Sequence, residues 1–437
     1  MKYHLWTEGC QMNVADSQRV AFVLERMGYS PTPRPEDANL IVMNTCVVRQ
    51  SAEDKAYNRL QSLKPLKKQN PELVINLMGC LVGRQESTSL KSRFPMVDVF
   101  SQPSDLEPLI NFLSQRDGKN IFNKEVTLQS LWLDGEAPIP QSQVGNMVTA
   151  FVPIVLGCSH ACTYCVIPSR RGVEISRPAE EILHEVSALV DKGIREVTLL
   201  GQIVDRYGKD NPDFPNLASL LKKINEIEGL FRIRFLTSHP NWLGDDLLKA
   251  VTELPKVMPH IEVPVQAGDD EILKAMRRGY SNRDYRVLIE KIRSTIPEVS
   301  IGTDIIVGFP NESDEKFQQT FDLLNDLKLD VAHLARYSPR SRTVSAHTLP
   351  DNVPDSVKWD RFRKLEELQE KIAGEIHLKK VGKSVEVLFE DTRKGRWRGR
   401  TPNNELVFVE ADHELRGQLR NVNIEWAGPW SMIGSLA

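Results

Sequence analysis

The sequence predicts an α/β protein in three parts: an N-terminal α/β domain with a parallel sheet, a central barrel of strand–helix units, and a small antiparallel β-barrel at the C-terminus. Three observations carry this. At 437 residues the chain is too long for one ordinary core. Short apolar runs alternate with helix-period segments as far as about residue 377, the pattern of parallel strands covered by helices. From residue 378 onward the texture changes to short strands separated by polar turns.

In residues 1–117 the apolar runs are Tyr3–Trp6, Leu40–Met43, Leu73–Met78 and Val97–Phe100, and helical patterns cover Asp16–Met27 and Ala52–Lys68. Residues 118–146 have no clear periodicity and read as a linker. Residues 147–377 repeat a strand-then-helix rhythm. The candidate strands are Ala150–Leu156, Glu196–Leu200, Arg232–Leu236, Ile261–Val265, Ser300–Val307 and Val331–Tyr337. Between the first two, Ile182, Leu183, Val186, Leu189 and Val190 share one helix face. Six units make an incomplete (β/α)6 TIM-like barrel, open on one side with room for a large substrate. After a charged helix around Trp359–Lys380, residues 378–437 give candidate strands Ser384–Glu390, Gly395–Thr401, Glu405–Val409, Gln418–Trp426 and Ser431–Ser435. Five short strands of this kind suit a small barrel.

The bulk numbers narrow the function. With 41% hydrophobic and 26% charged residues the chain reads as soluble and globular. No apolar run approaches the roughly 20 residues that span a bilayer, and MKYHLWTEGC lacks the apolar core of a secretory signal. A cytoplasmic protein without a membrane partner is expected. Six cysteines there read as ligands or catalysts instead of disulfides. A net charge of −3 excludes a basic-coated surface, so any nucleic-acid contact needs a local patch.

Cys158, Cys162 and Cys165 stand in GCSHACTYC, directly after the first central strand. Thiolates spaced C-x3-C-x2-C can hold three irons of a cubane cluster, leaving the fourth iron open to a small molecule. The competing readings are structural zinc on these cysteines with His160, or a redox pair at Cys162 and Cys165. Cys10, Cys46 and Cys80 are far apart in sequence, but each follows an apolar strand: YHLWTEG, LIVMNT and INLMG. Ligands gather at the carboxyl ends of strands in open α/β sheets, so these three can converge on a second cluster. The plain alternative is three buried structural cysteines.

GCSHACTYC resembles the cysteine triplet of the radical S-adenosylmethionine (SAM) enzymes. GCQMNVADS at Cys10, NTCVVRQSAEDK at Cys46 and the Cys80 site resemble the N-terminal domain of the methylthiotransferases, and the tail resembles the RNA-binding barrel called TRAM. The match spans essentially the whole chain and is closest to the MiaB type of tRNA methylthiotransferase. The resemblance implies two 4Fe-4S clusters with SAM as cofactor, and addition of a methylthio group to C2 of N6-isopentenyladenosine at tRNA position 37. It makes Cys158, Cys162 and Cys165 the ligands of a cluster that binds SAM and cleaves it to a radical, chemistry the cofactor supplies and the protein positions. Cys10, Cys46 and Cys80 would hold the cluster that presents a methylated sulfur. It also implies binding of the anticodon region of tRNA and an electron donor such as flavodoxin or ferredoxin.

Further positions match with less force. Gly201 and Gln202 end the second central strand, where the superfamily has a motif facing the SAM amino group. Tyr164 fills the slot beside the last cysteine whose backbone meets adenine. Gln266 and Asp304 end later strands at the same mouth, as SAM or substrate contacts or as ordinary strand-end polar residues. Three departures stand out: Gly201-Gln202-Ile203 where the family usually has GQN, Asn311 in place of the second glycine of GFPGET, and His160-Ala161 where Asn and Phe are common.

In RKGRWRGR, Arg396, Arg398 and Arg400 fall on one face of a strand and Trp397 on the other. Such a row suits RNA phosphates or a solvated, aggregation-resistant edge. The rival functions are a methylthiotransferase for threonylcarbamoyladenosine in tRNA or for a small-subunit ribosomal protein, and a non-catalytic zinc RNA-binding protein.

Overall fold

A computed structural model describes residues 1–84, 87–117 and 137–437. The N-terminal domain is a five-stranded parallel sheet of β1 (Lys2–Thr7), β2 (Ser30–Pro31), β3 (Leu40–Thr45), β4 (Val74–Gly79) and β5 (Val99–Ser101), in the order β2-β1-β3-β4-β5. Helices cover both faces. On one, Val20, Ala21 and Leu24 of α1 (Gln11–Arg26) pack with Leu109 and Leu113 against Tyr3, Leu40 and Val42. On the other, Ala56, Leu60 and Leu63 of α2 (Gln50–Gln69) meet Ile41, Met43, Ile75 and Leu77. Burial on both faces is why β3 and β4 read as nearly continuous apolar runs, with Asn76 the one polar residue inside β4. The chain leaves β1 toward β2 on one side and β3 on the other, so the strand order reverses beside β1. That is the place where open α/β sheets carry ligands.

Of the stretch read as a linker, residues 118–136 lie outside the described residues. Ala137 and Ile139 are buried in the core of the central domain, so the end of that stretch belongs to its packing. The six central strands are β6 (Thr149–Pro153), β9 (Glu196–Leu200), β10 (Arg232–Leu236), β11 (His260–Glu262), β12 (Ser300–Val307) and β13 (Val331–Arg336), all parallel within β6-β9-β10 and β11-β12-β13. Backbone bonds from Ile233 N–H to Lys256 (2.7 Å) and from Ser238 N–H to Glu262 (2.9 Å) join the two halves. Two expected strands are shorter than their apolar runs. Pro153 ends β6, and the chain turns into β7 (Val155–Leu156), antiparallel to β8 (Ile175–Ser176). Pro264 likewise has no N–H to extend the β11 ladder. The gap between β6 and β13 is flanked by the N-terminal domain. Arg19 of α1 is paired with Glu185 at 3.0 Å, and Arg340, after β13, reaches Glu53 of α2 at 2.6 Å.

The tail is a closed barrel in the order β14-β15-β16-β18-β17, made of β14 (Ser384–Arg393), β15 (Arg396–Arg400), β16 (Leu406–Val409), β17 (Leu419–Ala427) and β18 (Met432–Leu436). One pair departs from the expected antiparallel pattern: β16 and β18 run parallel and close the barrel. Lys394 and Gly395, both at positive φ, make the two-residue turn between β14 and β15. The barrel docks at the amino ends of the central strands. Arg232 donates to the Arg400 carbonyl at 2.7 Å, and Arg234 donates to the Thr401 and Pro402 carbonyls at 2.8 Å each.

Candidate active site

Cys10, Cys46 and Cys80 follow the carboxyl ends of three neighbouring strands, β1, β3 and β4. Glycines shape the turns before two of them, Gly9 (φ +146°) before Cys10 and Gly79 before Cys80. Gly79, before Cys80, has φ +94°, and a Cβ there would lie 2.5 Å from the Thr45 carbonyl. Cys10 caps the start of α1, and its Sγ donates to Asn13 Oδ1 at 3.3 Å. Asn13 is fixed in turn by Asn44 Oδ1 (2.8 Å) and the Thr45 carbonyl (3.1 Å), while Asn44 donates to Ser17 Oγ at 3.0 Å. This buried amide pair joins α1 to β3 below the thiols. The Val48 N–H donates to Cys46 Sγ at 3.4 Å.

The second set sits in the loop after β7. Gly157, at φ +69°, brings the chain against the Val173 carbonyl where a Cβ would collide. The loop is pinned by Cys158 N–H to the Gly172 carbonyl (3.0 Å) and by Thr163, whose N–H and hydroxyl bond the Met276 and Ala275 carbonyls. Donors are aimed at sulfur: His160 N–H at Cys158 Sγ (3.4 Å) and Arg278 Nη1 at Cys162 Sγ (3.2 Å). Burial opposes ionisation of Cys162, but His160 and Arg278 outweigh it and hold its pKa below the ordinary thiol value. Burial pushes Cys165 up to about 12 and Cys46 to about 11. Iron must displace those protons, as metal binding to thiols requires.

The two sets face each other. Val166, next to Cys165, is buried in the apolar cluster that contains Cys80. Met12 and Ala15 of α1 pack on Leu200 and Leu236 at the ends of β9 and β10. Arg171, six residues beyond Cys165, reaches Asn13 and Asp16 beneath Cys10. Among the described residues no three His, Cys, Asp or Glu side chains are close enough to hold a single metal ion. A cubane takes its thiolates at separate corners, wider apart than the ligands of one ion. Thiol-only donor sets with N–H groups directed at sulfur fit such clusters.

The weaker expectations fall around the same mouth. Tyr164 packs with Met276, Phe309 and Tyr337. Gly201 lies against Val204 and Val155, and Gln202 is half-buried beside it. Gln266 is buried at φ +75°, its N–H bonded to the Asp304 carbonyl at 2.8 Å. Strained backbone of this kind clusters at functional sites. Asp304 lies within β12, three residues before its end and not at the end as expected, opposite His333 in the β12–β13 register, and burial raises its pKa. Two departures from the family pattern are accommodated. Asn311 holds the left-handed conformation (φ +65°) that glycine would, secured by two hydrogen bonds with Asn352 at 2.9 and 2.8 Å. Ile203 packs against Cys158 and Cys165.

Sequence reasoning missed a buried polar group behind the mouth. Asp205 and His239 are buried, with Asp205 Oδ2 accepting from the His239 N–H at 3.0 Å. The His239 ring meets His160 at 4.6 Å. Burial depresses the His239 pKa to about 2 and raises that of Asp205 to about 7. The arginine row lies elsewhere, on the tail barrel. Trp397 is buried on the opposite face as alternation requires, but each arginine has an acidic partner: Arg396 with Glu410 (2.8 Å), Arg398 with Asp391 (2.6 Å) and Arg400 with Glu390 (3.4 Å). Trp426, near the end of β17, and Trp430, in the turn before β18, are 53% and 60% exposed.

Residues 152–324 match the model of the radical SAM superfamily, and residues 2–101 match the uncharacterized protein family UPF0004. The fold is similar to the radical SAM methyltransferase TsrM from Kitasatospora setae, solved with cobalamin and a 4Fe-4S cluster bound (TM-score 0.57, 13% identity, 79% of this chain and 77% of that one). It is also similar to the cobalamin-dependent radical enzyme OxsB, solved with aqua-cobalamin and SAM (TM-score 0.51, 11% identity, 85% and 56%). A tRNA-2-methylthio-N(6)-dimethylallyladenosine synthase of Roseiflexus sp. is 46% identical over 100% of this chain and 90% of its own length. One from Chloroflexus aurantiacus is 45% identical over 99% and 91%. The chain therefore belongs to the tRNA-2-methylthio-N(6)-dimethylallyladenosine synthase family of radical SAM enzymes.

Proposed function

We propose that this protein is a cytoplasmic tRNA methylthiotransferase that puts a methylthio group on C2 of N6-isopentenyladenosine at position 37. It is a transferase whose cofactors are SAM and 4Fe-4S clusters. The observation that carries the reading is the facing pair of three-cysteine sets at the carboxyl ends of two parallel sheets. Cys158, Cys162 and Cys165 would hold the cluster that binds SAM, and Cys10, Cys46 and Cys80 the cluster that supplies sulfur. When bound, these groups supply the radical and the sulfur; the chain's residues hold, orient and shield them. Arg278 fixes Cys162. Tyr164, Gly201, Gln202, Gln266 and Asp304 line the mouth as the SAM and substrate contacts.

No helix among the described residues is long and apolar enough to cross a membrane. Binding of the tRNA anticodon region is assigned to the mouth together with the tail barrel, where Arg396, Arg398 and Arg400 would exchange acidic partners for phosphates. A small electron-transfer protein such as flavodoxin or ferredoxin would deliver the electrons. The reading is tested by replacing each cysteine set with Ala. Loss of Cys158, Cys162 and Cys165 should abolish SAM cleavage. Loss of Cys10, Cys46 and Cys80 should spare SAM cleavage and stop sulfur insertion. Full iron content in the second variant would refute the two-cluster reading.

A further inference from the structure

Arg171 is an unusual residue for its position. It ends the short helix Ile167–Arg171 that follows Cys165 in the central domain, yet its guanidinium lies in the N-terminal domain's cysteine site. Its side chain is 3% exposed. Nη2 contacts Asp16 Oδ2 at 3.4 Å and Asn13 Oδ1 at 3.5 Å, and Nη1 contacts Ser104 Oγ at 3.3 Å. Charge-assisted hydrogen bonds from a guanidinium normally close to about 2.7–2.9 Å, so all three contacts are long. Nε is buried and has no partner. A buried cation held this loosely is costly unless further acceptors complete its shell. Ser104, whose hydroxyl donates to Asp16 at 2.7 Å, keeps a left-handed backbone (φ +61°). Strain of that kind is retained where the surrounding site imposes it.

The acceptors at hand are sulfur. Asn13, which touches Arg171, also accepts from Cys10 Sγ at 3.3 Å. Cys80, Asp16 and Cys10 all lie within charge-interaction range of the guanidinium, and Cys80 lies within its hydrogen-bonding reach. Resting on the two-cluster reading above, we propose that Arg171 is the charge partner and positioning residue of the cluster on Cys10, Cys46 and Cys80, which is thereby completed by a residue of the other domain. Three thiolates and the cluster sulfides form a negatively charged group that becomes more negative on reduction. A fixed cation beside it stabilises the reduced form and holds the reduction potential up, as hydrogen bonds and net charge do in such centres. Asp16, which shares the guanidinium, opposes this. The same six-residue link from Cys165 ties the placement of one cluster to that of the other.

The test uses full-length protein in which Cys158, Cys162 and Cys165 are Ala, so that only the second cluster is present. Its midpoint potential is followed by EPR-monitored titration, and its stability by the rate of iron loss to a chelator. Arg171→Gln should move the midpoint to more negative potential and speed iron loss, and Arg171→Lys should restore much of both. Asp16→Asn, nearly isosteric, should shift the midpoint in the opposite direction, which loss of packing alone would not do. Where Arg171→Gln fails to fold, the Lys and Asn variants carry the test. Midpoints unchanged in all three variants would overturn the proposal. A parent that binds no iron would sink the two-cluster reading itself, and the proposal with it.

Discussion

At Asp205 one buried carboxyl sets a measurable pH dependence. Its Oδ1 has no partner and its Oδ2 accepts one backbone N–H, too little to offset burial, so its pKa rises from the ordinary carboxylate value to about 7. The folded chain thus holds the proton that the unfolded chain has already lost. Stability attributable to this group falls as pH rises from the ordinary carboxylate range through about 7. Asp205→Asn keeps an acceptor for His239 and removes the charge. Thermal unfolding at about pH 8 should show the variant stabilised by a few kcal/mol, with the gain gone below about pH 4. Identical melting temperatures at the higher pH would count against it. Asn311 gives a second test at this scale. Because its backbone is left-handed, Asn311→Gly should be nearly neutral, whereas Asn311→Val should cost roughly 1–2 kcal/mol in denaturant unfolding. Equal costs would mean that the turn is not the constraint.

Among the elements, legibility followed continuity of the local signal. Glu196–Leu200, Arg232–Leu236 and Ser300–Val307 are strands from end to end as their apolar runs indicate. Ser30–Pro31 is exposed and two residues long, so nothing local marked it. The β7–β8 hairpin is hidden because Val155 and Leu156 continue an apolar run that Pro153 has already ended. That the cysteines follow strand ends was legible from the apolar runs before them. Arg171, Arg278, Asp205 and His239 were not, because a charged residue in a loop looks solvated until partners distant in sequence bury it. For β15, alternation placed Trp397 inside correctly but did not reveal the acids facing the arginines. Arg396, 43% exposed against 26% and 35% for Arg398 and Arg400, is the one best placed to meet a phosphate. Arg396→Gln should therefore lower the slope of log tRNA affinity against log salt by roughly 0.7–0.9. An unchanged slope would move the RNA contact to another face, with Trp426 and Trp430 the next candidates for stacking unpaired bases.

For the molecule as a whole, the arrangement follows from one topological rule applied twice. Both parallel sheets present their carboxyl ends to a shared space, and α1 packs on the central strand ends to hold them there. The tail barrel is fastened to the opposite end through Arg232 and Arg234. Arg234 also neutralises buried Glu196 at 3.0 Å. Arg234→Ala would leave that carboxylate uncompensated, at a cost of about 3–5 kcal/mol. Limited proteolysis should then release residues 378–437 faster than in the parent, and an unchanged rate would show that this pair does not fasten the tail. The central claim concerns chemistry in the shared space. Its most direct measurement is nucleoside mass spectrometry of tRNA carrying N6-isopentenyladenosine at position 37. The tRNA is incubated with anaerobically reconstituted protein, SAM and a reductant. The account predicts the 2-methylthio nucleoside with the parent protein and none with Ala at Cys10, Cys46 and Cys80, although that variant still cleaves SAM. Parent protein that holds both clusters and cleaves SAM, yet leaves the prenylated adenosine unchanged, would contradict it.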